Sequence, residues 1–462
     1  MLELQNLIGT HYTYLLNPLN DFKIMMNVAV VGQGFVGLTL SVFLSSKKLQ
    51  VFGIENNQNK LKTIQIGKSP FFEPNLDKNL KKCLKLKTLQ FVESLNPIFP
   101  KIDVVYICVP TPNRNNSIDL KFIKNVIYEI SHLLKSTKKK PMIIIKSTVA
   151  PQTTNLLLKI LSKNSNKILG VDYFLIVNPE FLREGSALDD QMNPHLIVMG
   201  CEDSKSQHKI KNFYKKLYPE KIPRTYTNFS TAELIKYSNN AFLATKISFI
   251  NSISNLCEKI PGANVDDVAN AIGTDPRIGS LFLKAGPGFG GSCLPKDLNS
   301  FISVYKNFGI QPILLNSVKN VNEKQSDQIL SILKNRYKKL EGKTISILGI
   351  SFKENSDDLR ESRSVILIKQ LLNENCKVKV YDSLALENTV KLFKNTIEYC
   401  NSIYDCSKNS DCLIIMNADK EFKKITHKNI SNMHKKFIID TRRILKISNV
   451  EYIALGKNSD NY

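Results

Sequence analysis

The densest chemistry in the sequence lies in Gly286-Pro-Gly-Phe-Gly-Gly-Ser-Cys293-Leu-Pro-Lys-Asp297. Gly288, Gly290 and Gly291 leave backbone N–H groups free to face an anion, and Pro295 suits the first turn of a helix running from Cys293 onward. A thiol at a helix N-terminus beside Lys296 is expected to have a lowered pKa and to be partly thiolate, which makes Cys293 a candidate nucleophile. Asp297, one turn on, shares its face. The other eight cysteines (Cys83, Cys108, Cys201, Cys257, Cys376, Cys400, Cys406 and Cys412) form no Cys-x-x-Cys pair and no Cys/His metal spacing. They read as small buried hydrophobes in a reducing compartment such as the cytoplasm, and no metal is expected.

Three further patterns carry chemistry. Gly32-x-Gly34-x-x-Gly37 follows an apolar strand and opens a helix, and Glu55 closes the next strand. Such glycines let a pyrophosphate approach helix N–H groups, and the carboxylate accepts from a ribose 2′-hydroxyl while repelling a 2′-phosphate, so NAD is expected over NADP. Asn178-Pro-Glu180-Phe-Leu-Arg-Glu184-Gly sets two carboxylates and an arginine in a turn after a strand, where open α/β sheets hold ligands. Lys236 and Asn240, four apart, share one helix face. Taken alone, each of the last two patterns also suits solvated surface. The six histidines fall in no pattern that suggests a base or ligand.

Those groups need elements to position them, and 462 residues allow two or three domains. Residues 27–55 read as strand, Gly-rich turn, helix and strand, half of a doubly wound nucleotide fold. Apolar runs at 103–109, 142–146 and 173–177 extend a parallel sheet to about residue 200. Residues 229–259 form one long helix, with Ser230 and Glu233 as a capping box and Pro261-Gly262 as its end. A helix of that length joins domains or packs against another subunit. From 343 the alternation resumes as a second α/β unit without the Gly fingerprint.

The formal charge of +23 does not imply a nucleic-acid partner: only nine of the 64 basic residues are arginine, and the lysines are spread from end to end. No apolar run approaches the ~20 residues that span a bilayer. Residues 1–25 lack the pattern of a secretory signal and read as a dispensable extension, since Met25 and Met26 stand just before the first strong strand.

Together these motifs resemble the UDP-glucose/GDP-mannose dehydrogenase family. The similarity spans about 26–445, through Gly32 to Gly37, Val109-Pro-Thr111-Pro, Lys146-Ser-Thr148-Val, Asn178 to Gly185, Lys236-x-x-x-Asn240, Asp275-Pro-Arg277-Ile-Gly, Gly288 to Asp297, Phe352-Lys353, Arg360-Glu-Ser and Asp440-Thr-Arg442. The resemblance implies an α/β protein of two Rossmann-like, doubly wound domains joined by a long central helix. By it, 26–215 bind NAD, 216–322 form the central dimerisation region with the cysteine loop, and 323–462 bind the UDP-sugar. It implies oxidation of a nucleotide sugar's C6 alcohol to a carboxylate through covalent adducts of Cys293, with Lys236, Asn240, Glu180, Asp297 and Thr148 as its catalytic companions. The implied cofactor contacts are Gly32, Gly34, Phe35, Val36, Gly37, Glu55, Lys60, Thr111, Thr148, Glu184, Lys296 and Arg360. The implied substrate contacts are Glu180, Phe181, Leu182, Arg183, Glu184, Lys236, Asn240, Phe282, Lys284, Phe289, Gly290, Lys353 and Arg442, with Arg277 reaching a neighbouring subunit's substrate in a homodimer or larger assembly. UDP-glucose is favoured over GDP-mannose or a UDP-N-acetylhexosamine by Asp275 to Gly279 and by the turn after Asn178. Three departures from the family pattern are Glu55 for Asp, Ala150 for Pro, and Thr441 for Gly, the last placing the close approach of that turn in doubt.

Overall fold

A computed structural model describes residues 26–114 and 117–458; the extension at 1–25 lies outside the described residues. Two sheets dominate. The first contains β1 (Asn27–Val31), β2 (Gln50–Ile54), β3 (Leu89–Val92) and β4 (Val104–Ile107), then, past a small hairpin β5 (Asn113–Arg114) and β6 (Ser117–Ile118), β7 (Met142–Ile145), β8 (Phe174–Val177), β9 (Ile197–Gly200) and β10 (Arg224–Thr227). Its order is β10-β9-β8-β7-β4-β1-β2-β3. The inner strands β4, β7 and β8 are wholly buried and β1 nearly so, because both faces are covered: Val28 and Val30 of β1 join one core, Ala29 and Val31 the other.

The expectation of a wholly parallel first sheet needs correction. β8 and β9 pair antiparallel, and β10 follows β9, so the last two strands run against the other six. The connection from β8 to β9 holds one short helix, Ala187–Met192, ~9 Å long, and the chain returns beside β8 in the opposite direction.

The second sheet has β11 (Thr344–Leu348), β12 (Lys377–Tyr381), β13 (Glu398–Tyr399), β14 (Cys412–Ile415), β15 (Phe437–Asp440) and β16 (Glu451–Ala454) in the order β13-β12-β11-β14-β15-β16, all parallel. Each sheet reverses its winding beside its first strand, at β1/β4 and at β11/β14, and such switch points are where open sheets bind ligands.

A long helix, Phe229–Cys257, leaves the first half, and the helices Val265–Gly273, Leu294–Asn307 and Ile313–Tyr337 follow it before the second sheet begins. At 1.5 Å per residue the first of these is ~43 Å long. The capping box expected at Ser230 and Glu233 is absent. Asn228 is the N-cap, its side chain accepting from Thr231 N, while Glu233 is buried and accepts from both the backbone and the hydroxyl of Thr154. Tertiary contact with the helix Thr153–Ser165 took the carboxylate that local sequence assigned to the cap. Among the described residues no helix is long and apolar enough to cross a membrane.

Candidate active site

The Gly-rich turn sits at the β1/β4 switch point. Gly32 has φ +91°, and a Cβ there would lie 2.9 Å from Cys108 O; at Gly37 it would lie 1.8 Å from Gly32 O. Both positions therefore demand glycine, whereas Gly34 faces open space. That space is the mouth of a cleft of about 1230 Å³ between the two halves. Gly32, Gly34, Phe35, Val36, Glu55, Lys60, Thr111, Thr148, Glu180, Glu184, Cys293, Lys296, Asp297 and Arg360 all line it; Gly37 is buried behind the turn. Glu55 is held by Gln33 N and Asn57 N, one to each carboxylate oxygen, with Lys60 Nζ at 3.6 Å, which leaves lone pairs for ribose hydroxyls. A dinucleotide fits this cradle, with Glu55 at one end and Cys293 at the other.

At the far end the cysteine loop meets the central helix. Lys236 and Asn240 are buried, not solvated, and both turn toward the loop. Lys236 Nζ lies 3.0 Å from Glu180 Oε1, and Asn240 Nδ2 donates to Asp297 Oδ2 at 2.6 Å. Burial pushes the Lys236 ammonium down, but Glu180, Asp297 and Cys293 more than offset it, so its pKa stands above the ordinary lysine value. Burial likewise pushes Glu180 up, and Lys236, the Leu182 N–H and Lys146 outweigh it to leave the carboxylate below its usual range. The pair is thus an ammonium and a carboxylate.

Cys293 is the N-cap of the helix Leu294–Asn307, with Pro295 in the first turn and Asp297 N donating to Cys293 O at 2.8 Å. The expected lowered thiol pKa is not found. Burial first, then Glu180 and Asp297 against the opposing Lys236, push Cys293 up to about 11. Lys296, which sequence placed beside the thiol, instead pairs with Asp297 Oδ1 at 2.7 Å. The helix end does not outweigh desolvation and two carboxylates.

The other residues that the family resemblance singles out are spread more widely. Ser292 Oγ donates to Glu184 Oε1 at 2.7 Å, and Arg360 reaches the same carboxylate at 3.5 Å while bound to Asp358. Burial and Asp358 push Glu184 up to about 7. The Phe181 ring lies 5.2 Å from Lys236 Nζ, and Leu182 N donates to Glu180 Oε2. Arg183 is turned away, bound through Nε and Nη2 to Asp190. Phe289 is locked by reciprocal bonds with the Asn322 amide, and Gly290 packs against Glu361 O. Arg442 is half-buried beside Gly286, and desolvation lowers its pKa, as it lowers that of Lys353. Thr441 fits its turn: it is fully buried and its hydroxyl donates to Ile415 O at 2.7 Å. Phe282 adopts φ 65° at the loop's outer end, and Lys284 is exposed. Arg277 is not brought to the cleft; its side chain is 87% exposed and chelates its own Asp275.

Sequence reasoning gave no role to Lys146, Asn388 or Lys391, which also line the cleft. A lysine ending the run Met-Ile-Ile-Ile was a legible signal for the first. The other two come from the second half and reach the cleft only through domain packing.

Family models match three consecutive stretches: the NAD binding domain of the UDP-glucose/GDP-mannose dehydrogenase family at 26–218, its central domain at 230–324 and its UDP binding domain at 346–447. The chain belongs to this family. Family members with high similarity include UDP-glucose 6-dehydrogenases of Rickettsia bellii, 37% identical with 93% of this chain and 98% of the relative covered, and of Bacillus subtilis, 35% identical with 94% and 98% covered. Among solved structures of the family, a UDP-glucose dehydrogenase from Pyrobaculum islandicum superposes with a TM-score of 0.86 at 30% identity, covering 94% of this chain and 98% of that one. A UDP-D-ManNAc dehydrogenase from Pyrococcus horikoshii gives 0.82 at 25%, covering 93% and 99%.

Proposed function

We propose that the chain oxidises the C6 alcohol of UDP-glucose to the carboxylate of UDP-glucuronate in two NAD-dependent steps, through a thiohemiacetal and a thioester on Cys293. The observation that carries this is the convergence, at one end of a dinucleotide-sized cleft, of a cysteine at a helix start with a buried ammonium–carboxylate pair and a buried amide–carboxylate pair. Gly32, Gly34 and Glu55 would hold NAD in that cleft, and two NAD molecules bound in turn would supply the hydride acceptors, one for the C6 alcohol and one for the thiohemiacetal.

Lys236 holds its proton, so it serves as a donor to oxyanions rather than as the base. Removal of the C6 hydroxyl proton then falls to water held by Asp297 and Thr148. Cys293 Sγ bonds to the aldehyde carbon as its proton passes through the same water to solvent; Lys236 and Asn240 donate to the oxygen that becomes negative. After the second hydride departs, Glu180, ionised and next to Lys236, takes a proton from water as it attacks the thioester, the C–S bond breaks and the thiol is restored. Lys353, Arg442 and the loop from Phe282 to Gly290 hold the uridine nucleotide. Two copies pair, with Arg277 reaching the partner's sugar as the family resemblance implies; what supports the pairing is that on the central helix Phe242, Phe249 and Leu256, spaced by seven, are 65%, 51% and 55% exposed, one apolar stripe for a second copy to cover.

A panel of UDP-glucose, UDP-N-acetylglucosamine, UDP-N-acetylmannosamine and GDP-mannose with NAD tests the assignment. Two NADH per sugar from UDP-glucose, at a kcat/KM well above the others, is the expected result; preference for an acetylated sugar or GDP-mannose overturns the substrate while leaving the chemistry.

A further inference from the structure

Lys146 directly follows β7, behind Glu180, and is 7% exposed. Its Nζ donates to Asn178 Oδ1 at 2.8 Å and approaches Pro179 O at 3.4 Å, the two residues that lead into Glu180. Asn178 Oδ1 also accepts from Tyr214 OH at 2.6 Å, Tyr214 in turn is bonded to Tyr106 at 3.2 Å, and the Asn178 amide donates to Val198 O. The turn carrying Glu180 is therefore clamped from both sides by buried groups. Lys146 borders the main cleft on one side and, on the other, a cavity of about 30 Å³, enough for a single water.

Both acceptors of Lys146 are neutral, and a neutral donor would satisfy them without the cost of burying a charge. The ammonium has a second consequence. The groups facing Glu180 are Lys236 from the central helix, Cys293 from the loop, Cys108 just after β4 and Lys146 just after β7. Two cations thus converge on one carboxylate. Burial brings Lys146 down to about 8, against an upward pull from Glu180, so it stays largely protonated at neutral pH.

We propose that Lys146 is a positioning residue for the hydrolytic step: it holds the Asn178-Pro179 turn that aims Glu180, and its charge joins that of Lys236 in keeping Glu180 ionised. This rests on Glu180 being the group that activates water against the thioester. Lys236 alone would be shared between Glu180 and the substrate oxyanion; the second cation leaves Glu180 basic yet charged while Lys236 is engaged.

The test separates charge from scaffold. Lys146→Gln keeps a donor for Asn178 without the charge, Lys146→Arg keeps the charge, Lys146→Met fills the space with neither, and Tyr214→Phe removes the other donor to Asn178. Isotope-edited infrared titration of the Glu180 carboxyl, assigned by difference with Glu180→Gln, needs no sugar. Loss of a nearby opposite charge raises a carboxyl pKa by up to about 1–3 units, and because Lys236 exerts the larger pull on Glu180 the rise should fall at the low end, about 1 unit. That rise is expected in Lys146→Gln and Lys146→Met and not in Lys146→Arg or Tyr214→Phe. In rapid mixing, Lys146→Gln should release two NADH per site in a burst and then slow, with NAD affinity unchanged and the acidic limb of kcat moved to higher pH. An unmoved Glu180 titration in Lys146→Gln and Lys146→Met, or the same shift in Tyr214→Phe, overturns the proposal. Failure of the underlying reading shows differently, as a Glu180→Gln variant with normal steady-state turnover.

Discussion

The Cys293 thiol is expected to react slowly in the unliganded protein, against the behaviour of an activated cysteine. Its pKa of about 11 leaves about one part in a thousand ionised at pH 8. A free cysteine, at about 8.5, is roughly one quarter ionised there. The more basic thiolate is intrinsically more nucleophilic by about tenfold at a Brønsted slope of ~0.4–0.5. Alkylation at pH 8 should therefore run about twentyfold slower than that of free cysteine by these two factors. Iodoacetamide labelling, followed by mass spectrometry of the peptide containing Cys293, gives the rate from pH 7 to 11, and the logarithm should climb with unit slope through pH 10. Because Glu180 opposes ionisation and Lys236 favours it, Glu180→Gln should move the midpoint down and a Lys236→Met variant should move it up. A plateau reached below pH 9 would refute the electrostatic account and restore the preformed thiolate that the helix N-terminus and Lys296 suggested. The corollary is that the proton leaves as the C–S bond forms, so substrate and cofactor complete the activation.

Cys293→Ser should fold and bind NAD yet lose steady-state turnover, with a sugar nucleotide ester accumulating on the serine by mass spectrometry; two NADH per sugar at near the original rate would show the thiol to be structural. Glu55→Ala removes the carboxylate that we propose bonds the ribose hydroxyls; charge-assisted bonds are worth ~1.5–3 kcal/mol, so the KM for NAD should rise about tenfold to a hundredfold while that for NADP changes little; equal use of both cofactors by the unmodified protein contradicts the role of Glu55. Phe242→Asp with Phe249→Asp should break the assembly and with it activity; light scattering that finds the unmodified, active protein monomeric sinks the pairing across that stripe.

What the chain determines locally was legible. The Gly32 to Gly37 turn, the apolar strands and the Cys293 loop are written in contiguous residues, because a tight turn, a doubly covered strand and a helix start each depend on neighbours a few positions apart. The second sheet's edge strands β13 and β16 are short and mixed in character, and they escaped that reading. What sequence could not decide were matters of burial and of partners far along the chain. Lys236 and Asn240 were equally readable as a wet stripe until the loop, 57 residues after Asn240, was seen to close over them. The sign of the Cys293 shift inverted for the same reason: proximity in sequence offered Lys296, but tertiary packing gave that lysine to Asp297 and brought Glu180 and desolvation to the thiol. Glu233 left its cap for Thr154, and Lys146 acquired its place behind Glu180, through contacts between separate elements. Backbone geometry follows from short-range sterics and periodicity, whereas the ionisation of a buried group depends on the summed field and dielectric of everything packed around it, and only the folded chain supplies those.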